Sequence, residues 1–134
     1  MNLTKPKLIQ FPKIGNSSLG YISLAENETL PFVVHRVYWT YFTPEDVQRG
    51  AHAHYKLEQI LVAAAGKITE HTEMPNGIKK SFVLESPDKG VFLPKLSWHT
   101  MQFSHNAVQM CIANMIYEEK DYIRNYDEFK ALHQ

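Results

Sequence analysis

Turn signals divide most of this chain into short, β-leaning runs, and that punctuation limits its fold more than any other feature. Gly15-Asn16-Ser17-Ser18 reads as a loop between strands over residues 8–11 and 19–25. Glu26-Asn27-Glu28 with Pro31 forms a polar turn before a long aromatic and β-branched stretch, residues 32–42. In that stretch Val33, His35, Val37, Trp39 and Tyr41 share one face, and Val34, Arg36, Tyr38 and Thr40 the other. Both faces carry apolar groups, which predicts a central strand. Pro44-Glu45-Asp46 is a loop, and Gly66 ends an apolar run over 60–65. Asn76-Gly77, among the strongest short hairpin signals, joins residues 67–74 to 78–84. Those two runs are polar and charged, so the hairpin is expected to be half exposed. Ser86-Pro87-Asp88-Lys89-Gly90 turns into a short strand over 91–94; another starts at Trp98-His99, and residues 107–117 form the last long one. In the tail, Tyr122, Tyr126, Phe129 and His133 recur at helical spacing, which predicts a terminal amphipathic helix. Many short strands and one late helix predict an all-β sandwich or barrel.

A length of 134 residues predicts a single domain over 1–134. Lys plus Arg and Asp plus Glu are 14 each, so the chain lacks the basic excess of a nucleic-acid binder. A discrete anionic small molecule remains within reach of a few local arginines. Cys111, the one cysteine, cannot form an internal disulfide and reads as buried filler in an apolar run. Residues 1–7 lack the apolar region of a signal peptide, and no apolar run reaches membrane-spanning length. The expectation is a soluble, cytoplasmic protein without a membrane or nucleic-acid partner.

Chemistry concentrates in Arg49-Gly50-Ala51-His52-Ala53-His54. On a strand His52 and His54 point the same way, and the apolar run that follows argues that the strand enters a core. His52-x-His54-x-x-x-Glu58 with Gly66, and Gly90 with Pro94 and His99, resemble the two motifs of cupins, which are jelly-roll barrels, although Leu96 stands where the second motif has glycine. In metal cupins the corresponding histidines and glutamate bind Mn, Fe, Ni or Zn. Glu58 is followed by Gln59, however, and only one of the two can face the histidines; with Gln59 inward, the carboxylate ligand is lost.

A closer resemblance covers about residues 8–129. Arg36-Val37-Tyr38-Trp39, the segment from Arg49 to Gln59, Pro94 with Trp98-His99, and the tail from Glu119 to Phe129 resemble the sugar-nucleotide 3,4-ketoisomerases. These are metal-independent cupins acting on dTDP-4-keto-6-deoxyglucose. Ala51 and Trp39 depart from the usual residues at their positions. The resemblance implies a single cupin domain, no metal and no cofactor, and a homodimer with an exchanged N-terminal strand. It further implies a product that enters 3-amino-3,6-dideoxy sugars of surface glycans such as lipopolysaccharide O-antigen.

Moving a carbonyl from C4 to C3 requires a base for the C3 proton, a stabilised enediolate and an acid at C4, and histidine starts near the right pKa. By resemblance His54 is the C3 base and His52 the second acid/base or proton relay; sequence alone does not rank them. Tyr38 and Arg49 are the candidates for polarising the ketone, with Tyr41 behind them. Arg49 is also suited to clamping the diphosphate, a role Arg36 could share. His99 is assigned to the pocket floor with Trp98 as packing beside it, and both are counted among the substrate-binding candidates. His35, His71, His105 and His133 are read as uninvolved. Two other classes fit the motifs: a metal-dependent cupin dioxygenase or isomerase, and a non-catalytic sugar-binding cupin.

Overall fold

A computed structural model describes residues 4–132. Twelve strands run in the order β1 (Lys7–Gln10), β2 (Ile14–Asn16), β3 (Gly20–Ile22), β4 (Arg36–Tyr41), β5 (Gln48–His54), β6 (Gln59–Ala65), β7 (Ile68–Glu73), β8 (Lys79–Leu84), β9 (Lys89–Leu93), β10 (Trp98–Phe103), β11 (Val108–Ala113) and β12 (Tyr122–Ile123). A 3-10 turn, Glu119–Asp121, precedes β12, and a five-residue helix α1, Tyr126–Lys130, follows it. The strands form two antiparallel sheets, β1-β9-β6-β11-β4 and β12-β5-β10-β7-β8, with β2 and β3 a separate hairpin. From β4 to β11 the chain passes repeatedly between the sheets, which is the jelly roll of the cupin fold.

The sheets bury a shared core in which Leu61 and Leu93 of one meet Ile68, Leu84 and Phe103 of the other. Outside the first sheet, Phe11, Leu30, Phe32 and Val34 cover Ile60, Phe92 and Ile112. Outside the second, Phe129 and Ile123 close over Ala53, with Trp98 and Leu132 against them.

Four expectations change. Gly15 and Asn16 belong to β2 rather than to a loop, because the chain folds back at Ser17–Ser18 to pair Ile14 with Ile22. The strand expected over 32–42 starts only at Arg36, since Phe32 and Val34 turn down onto the first sheet. It is an edge strand in the described chain, not a central one; its apolar outer residues, Val37, Trp39 and Tyr41, stay exposed. In the tail the helical spacing misleads. Tyr122 and Ile123 are extended, because pairing with His54 and Ala53 satisfies backbone groups that a short exposed helix would leave open. His133 lies outside the described residues. The helix is capped at its start, the Asn125 side chain accepting from the Glu128 amide.

Candidate active site

A pocket of about 440 Å³ opens between the two sheets. Its walls come from β4 (Arg36, Tyr38), β5 (Arg49, His52) and β10 (His99), with Tyr122 and Arg124 of the tail at its mouth.

A β-bulge builds the β5 wall. Arg49 lies opposite Met101 and His52 opposite His99, so Ala51 is the extra residue between them. Strict alternation would put Arg49 and His52, three apart, on opposite faces. The bulge puts both on the inner face. It needs left-handed backbone at Gly50 (φ +87°) and Ala51 (φ +62°), and a side chain on Gly50 would meet the His99 carbonyl at 2.7 Å.

The histidines divide. His52 lines the pocket, its ring 4.9 Å from that of His99, centre to centre. His54 sits one pleat deeper, buried under the Tyr122 ring at 4.3 Å and 5.1 Å from His52, outside the lining. Its Nδ1 faces Asp121 Oδ2 at 3.4 Å. Asp121 is itself fixed by accepting from the amides of Lys56 (2.8 Å) and Leu57 (3.0 Å), tying the tail to the histidine strand.

Burial, then the neighbouring His99 and the Arg124 guanidinium, hold His52 down to about 3. Burial also lowers His54, with His52 and His99 adding to it, and brings His99 to about 4. All three rings are therefore neutral at neutral pH, and a neutral imidazole has a bare nitrogen that can take a proton.

Gln59, not Glu58, faces inward. Glu58 turns outward beside Asn114, whose side-chain amide donates to it at 3.5 Å. The Gln59 amide lies 3.4 Å from Tyr38 Oη, 3.0 Å from Cys111 Sγ and 3.5 Å from His99 Nε2. Behind His99, Nδ1 is 2.6 Å from Glu70 Oε1, a carboxyl group with no exposed surface. Cys111 is buried, and burial pushes its thiol up to about 12. Among the described residues no three of His, Cys, Asp and Glu are placed to share a metal ion.

Three arginines, Arg36, Arg49 and Arg124, line the pocket, and among the described residues no carboxylate does. Arg36 stands over the rings of Tyr38 (5.1 Å) and Tyr117 (5.9 Å), and its buried Nε has no hydrogen-bond partner among the described residues. Arg124 lies over Tyr122 at 4.1 Å and donates twice to Glu119, at 2.8 and 2.9 Å. In a chain of zero net charge, this is a local cationic focus suited to an anion.

Of the residues expected from sequence, Tyr38, Arg36, Arg49, His52 and His99 meet in the pocket and His54 backs it. Tyr41 and Trp98 do not reach it. Tyr41 is on the outer face of β4 against Phe42, at 5.0 Å; Trp98 packs on Tyr126 and Phe129 at 5.2 and 5.5 Å. Each is an odd number of residues from a pocket-facing neighbour, Tyr38 or His99, and alternation turns it away. His35, His71 and His105 stand apart, as expected. Glu70, Asp121, Tyr122 and Arg124 were not singled out. The helical reading of the tail hid three of them, and a polar hairpin hid Glu70.

The family model described as FdtA: WxcM-like, C-terminal, matches residues 4–134. The chain is 40% identical over 125 residues to a protein of Aneurinibacillus thermoaerophilus named TDP-4-oxo-6-deoxy-alpha-D-glucose-3,4-oxoisomerase, covering 92% of this chain and 89% of that one. Among solved structures it is similar to a 3,4-ketoisomerase from Helicobacter canadensis, with TM-score 0.89 and 35% identity over 96% of each chain. It is also similar to the sugar 3,4-ketoisomerase QdtA of Thermoanaerobacterium thermosaccharolyticum, in complex with TDP, with TM-score 0.91 and 31% identity over 98% of this chain and 96% of that one. The chain belongs to the FdtA family, alongside these sugar 3,4-ketoisomerases.

Proposed function

We propose that this protein, a single cupin unit, converts TDP-4-keto-6-deoxyglucose into the 3-keto isomer through an enediolate. The observation that carries the reading is a neutral histidine, His52, facing a pocket ringed by three arginines in a chain 40% identical to a TDP-4-oxo-6-deoxy-glucose 3,4-oxoisomerase.

In this reading the diphosphate is held by Arg124, Arg49 and Arg36, whose forked donors suit phosphate oxygens. Burial is the main cause that holds His52 down; the bound anion offsets the Arg124 and Arg49 charges that add to it, raising its basicity when substrate is in place. His52 removes the C3 proton, because its ring is the one on the pocket wall; His54, buried behind it, takes the relay role. This exchanges the two roles expected from the resemblance. Tyr38 faces the reacting oxygens, and proton delivery to C4 completes the isomerisation. Carbon is oxidised at C3 and reduced at C4 within one molecule, so the step balances without an external oxidant or reductant.

The proposal extends to a homodimer formed by exchange of the N-terminal strand. Support comes from the β2–β3 hairpin, which presents Ile14, Leu19 (87% exposed), Tyr21 and Ile22 to solvent, and from exposed Trp39 and Phe42 at the β4 edge. A monomer by light scattering at micromolar concentration would refute it. A cytoplasmic location, and a product consumed in making 3-amino-3,6-dideoxy sugars of surface glycans, complete the proposal.

The test is proton NMR of TDP-4-keto-6-deoxyglucose with the protein in deuterated water. A 3-keto product is expected, and its C4 coupling distinguishes gluco from galacto. Unchanged substrate, with no exchange at C3, would overturn the reading.

A further inference from the structure

Glu70 is the one carboxyl group of the described residues with no exposed surface, and the reaction as derived above gives it no task. It stands on β7 between Ile68 and Thr72, facing the core. Its Oε1 touches His99 Nδ1 at 2.6 Å, and its Oε2 is buried with no partner among the described residues. The groups directed at it are His99 of β10 and, across the core, Cys111 of β11; His71, next in the chain, points to the opposite face, where Ser81 holds it. Among the described residues no lysine or arginine pairs with it.

From Glu70 a chain of contacts leads to the pocket: His99, the Gln59 amide, then Tyr38 Oη. Such a chain has two polarities, because the Gln59 amide can make a half-turn and exchange its oxygen and nitrogen. In the first, with Gln59 Oε1 toward Tyr38 and Cys111 as the amide is placed here, Tyr38 donates to Gln59 Oε1, Gln59 Nε2 donates to His99 Nε2, and His99 Nδ1–H donates to Glu70. The half-turn that gives the other polarity leaves the shape of the amide unchanged. Tyr38 then has no proton left for the pocket and can only accept. This polarity also requires of Glu70 either a buried anion with a single hydrogen bond, or a proton on Oε2 where no acceptor stands. Both are costly.

In the second polarity Glu70 carries the proton on Oε1 and donates it to His99 Nδ1. His99 Nε2–H donates to Gln59 Oε1, Gln59 Nε2 donates to Tyr38 Oη, and the Tyr38 hydrogen is free for the pocket. A neutral carbonyl oxygen, Oε2, is left without a partner among the described residues, and the Cys111 thiol, 3.0 Å from the Gln59 amide, gives up Gln59 Oε1 as its acceptor. Both are uncharged groups, which cost less than a buried anion. Burial lifts Glu70 well above the usual carboxylate range and lowers His99, so both favour this uncharged pair.

We propose that Glu70 is a positioning residue: protonated against His99, it polarises the His99–Gln59–Tyr38 chain so that the Tyr38 hydroxyl is a hydrogen-bond donor to the substrate oxygen that becomes the enediolate. The assignment of that oxygen rests on the ketoisomerase reading; the protonation of Glu70 does not.

The two parts are tested separately. Infrared difference spectroscopy of the ligand-free protein at neutral pH, wild type against Glu70→Gln, should show the carbonyl stretch of one protonated carboxylic acid, sensitive to deuterium and missing from the variant. A carboxylate band in its place overturns the proposal whatever the enzyme's activity. In steady-state kinetics Glu70→Gln should keep kcat within about threefold of wild type, because its amide can still donate to His99 Nδ1, while Glu70→Leu should lose about tenfold or more in kcat with little change in KM. Equal loss in the two variants, or none in either, overturns the polarity argument. An inactive wild type refutes the ketoisomerase reading and leaves the infrared result to stand by itself.

Discussion

Replacing Asp121 by alanine should cost about 3–4 kcal/mol of folding stability, and the sum follows from two hydrogen bonds. The carboxylate is 6% exposed and accepts from the Leu57 amide at 3.0 Å and the Lys56 amide at 2.8 Å. Hydrogen bonds to a charged group contribute about 1.5–3 kcal/mol each, and a buried donor left open costs about 1–3 kcal/mol. Leu57 is buried, so its amide loses its acceptor outright. Lys56 is exposed, and water recovers part of its loss. The desolvation of Asp121 itself is regained, which keeps the total below the plain sum. Against the 5–15 kcal/mol typical of a domain, the loss is large. Asp121→Asn keeps one good acceptor and should cost about half as much. Urea unfolding at pH 7, with the slope unchanged, measures both. Turnover should fall in Asp121→Ala as well, because the same carboxylate ties down the strand carrying Tyr122 over His54. If Asp121→Ala unfolds within about 1 kcal/mol of wild type, the carboxylate is not what holds the tail to β5.

His52→Asn should lower kcat by two to four orders of magnitude, the range for a general base, with TDP affinity nearly unchanged in calorimetry; wild-type turnover removes His52 from the mechanism. Arg124→Ala should weaken TDP binding by about tenfold or more, one charge-assisted hydrogen bond, and an unchanged Kd would exclude a phosphate contact. Because His52, His54 and His99 titrate lower in the fold than in the unfolded chain, stability is full above about pH 6.5 and falls below it, by up to about 1.4 kcal/mol per pH unit for each ring. Glu70, shifted upward, has the opposite sign and returns stability over the same range, so Glu70→Gln should unfold more steeply in acid than wild type. A flat profile between pH 6.5 and 5 in Glu70→Gln would contradict the histidine shifts, and a variant no steeper than wild type would contradict the Glu70 shift.

The sheets and the heart of the site were legible because their signals are local. Asn76-Gly77 marks a hairpin by itself, and His52 and His54 share a face through strand periodicity alone. The tail was not legible. Tyr122, Tyr126 and Phe129 have helical spacing, yet β5 offered Tyr122 and Ile123 a partner strand, and tertiary pairing overrode the local pattern. The edge position of β4 escaped for a related reason: apolar residues on both faces signal burial, but the sequence does not say what buries them.

By itself, then, the sequence determined the all-β architecture, the Gly50-to-His54 stretch as the candidate site, part of which lines the pocket, and, through its motifs, the family. Only the tertiary structure decided which histidine meets the pocket, that Gln59 rather than Glu58 turns inward, that a bulge at Ala51 aims Arg49 beside His52, and that Glu70 closes the chain behind Tyr38. Period and turn chemistry act over a few residues and are written in order along the chain. Burial, register and the partner of a buried proton depend on strands far apart in sequence, and they exist only once the sheets have closed.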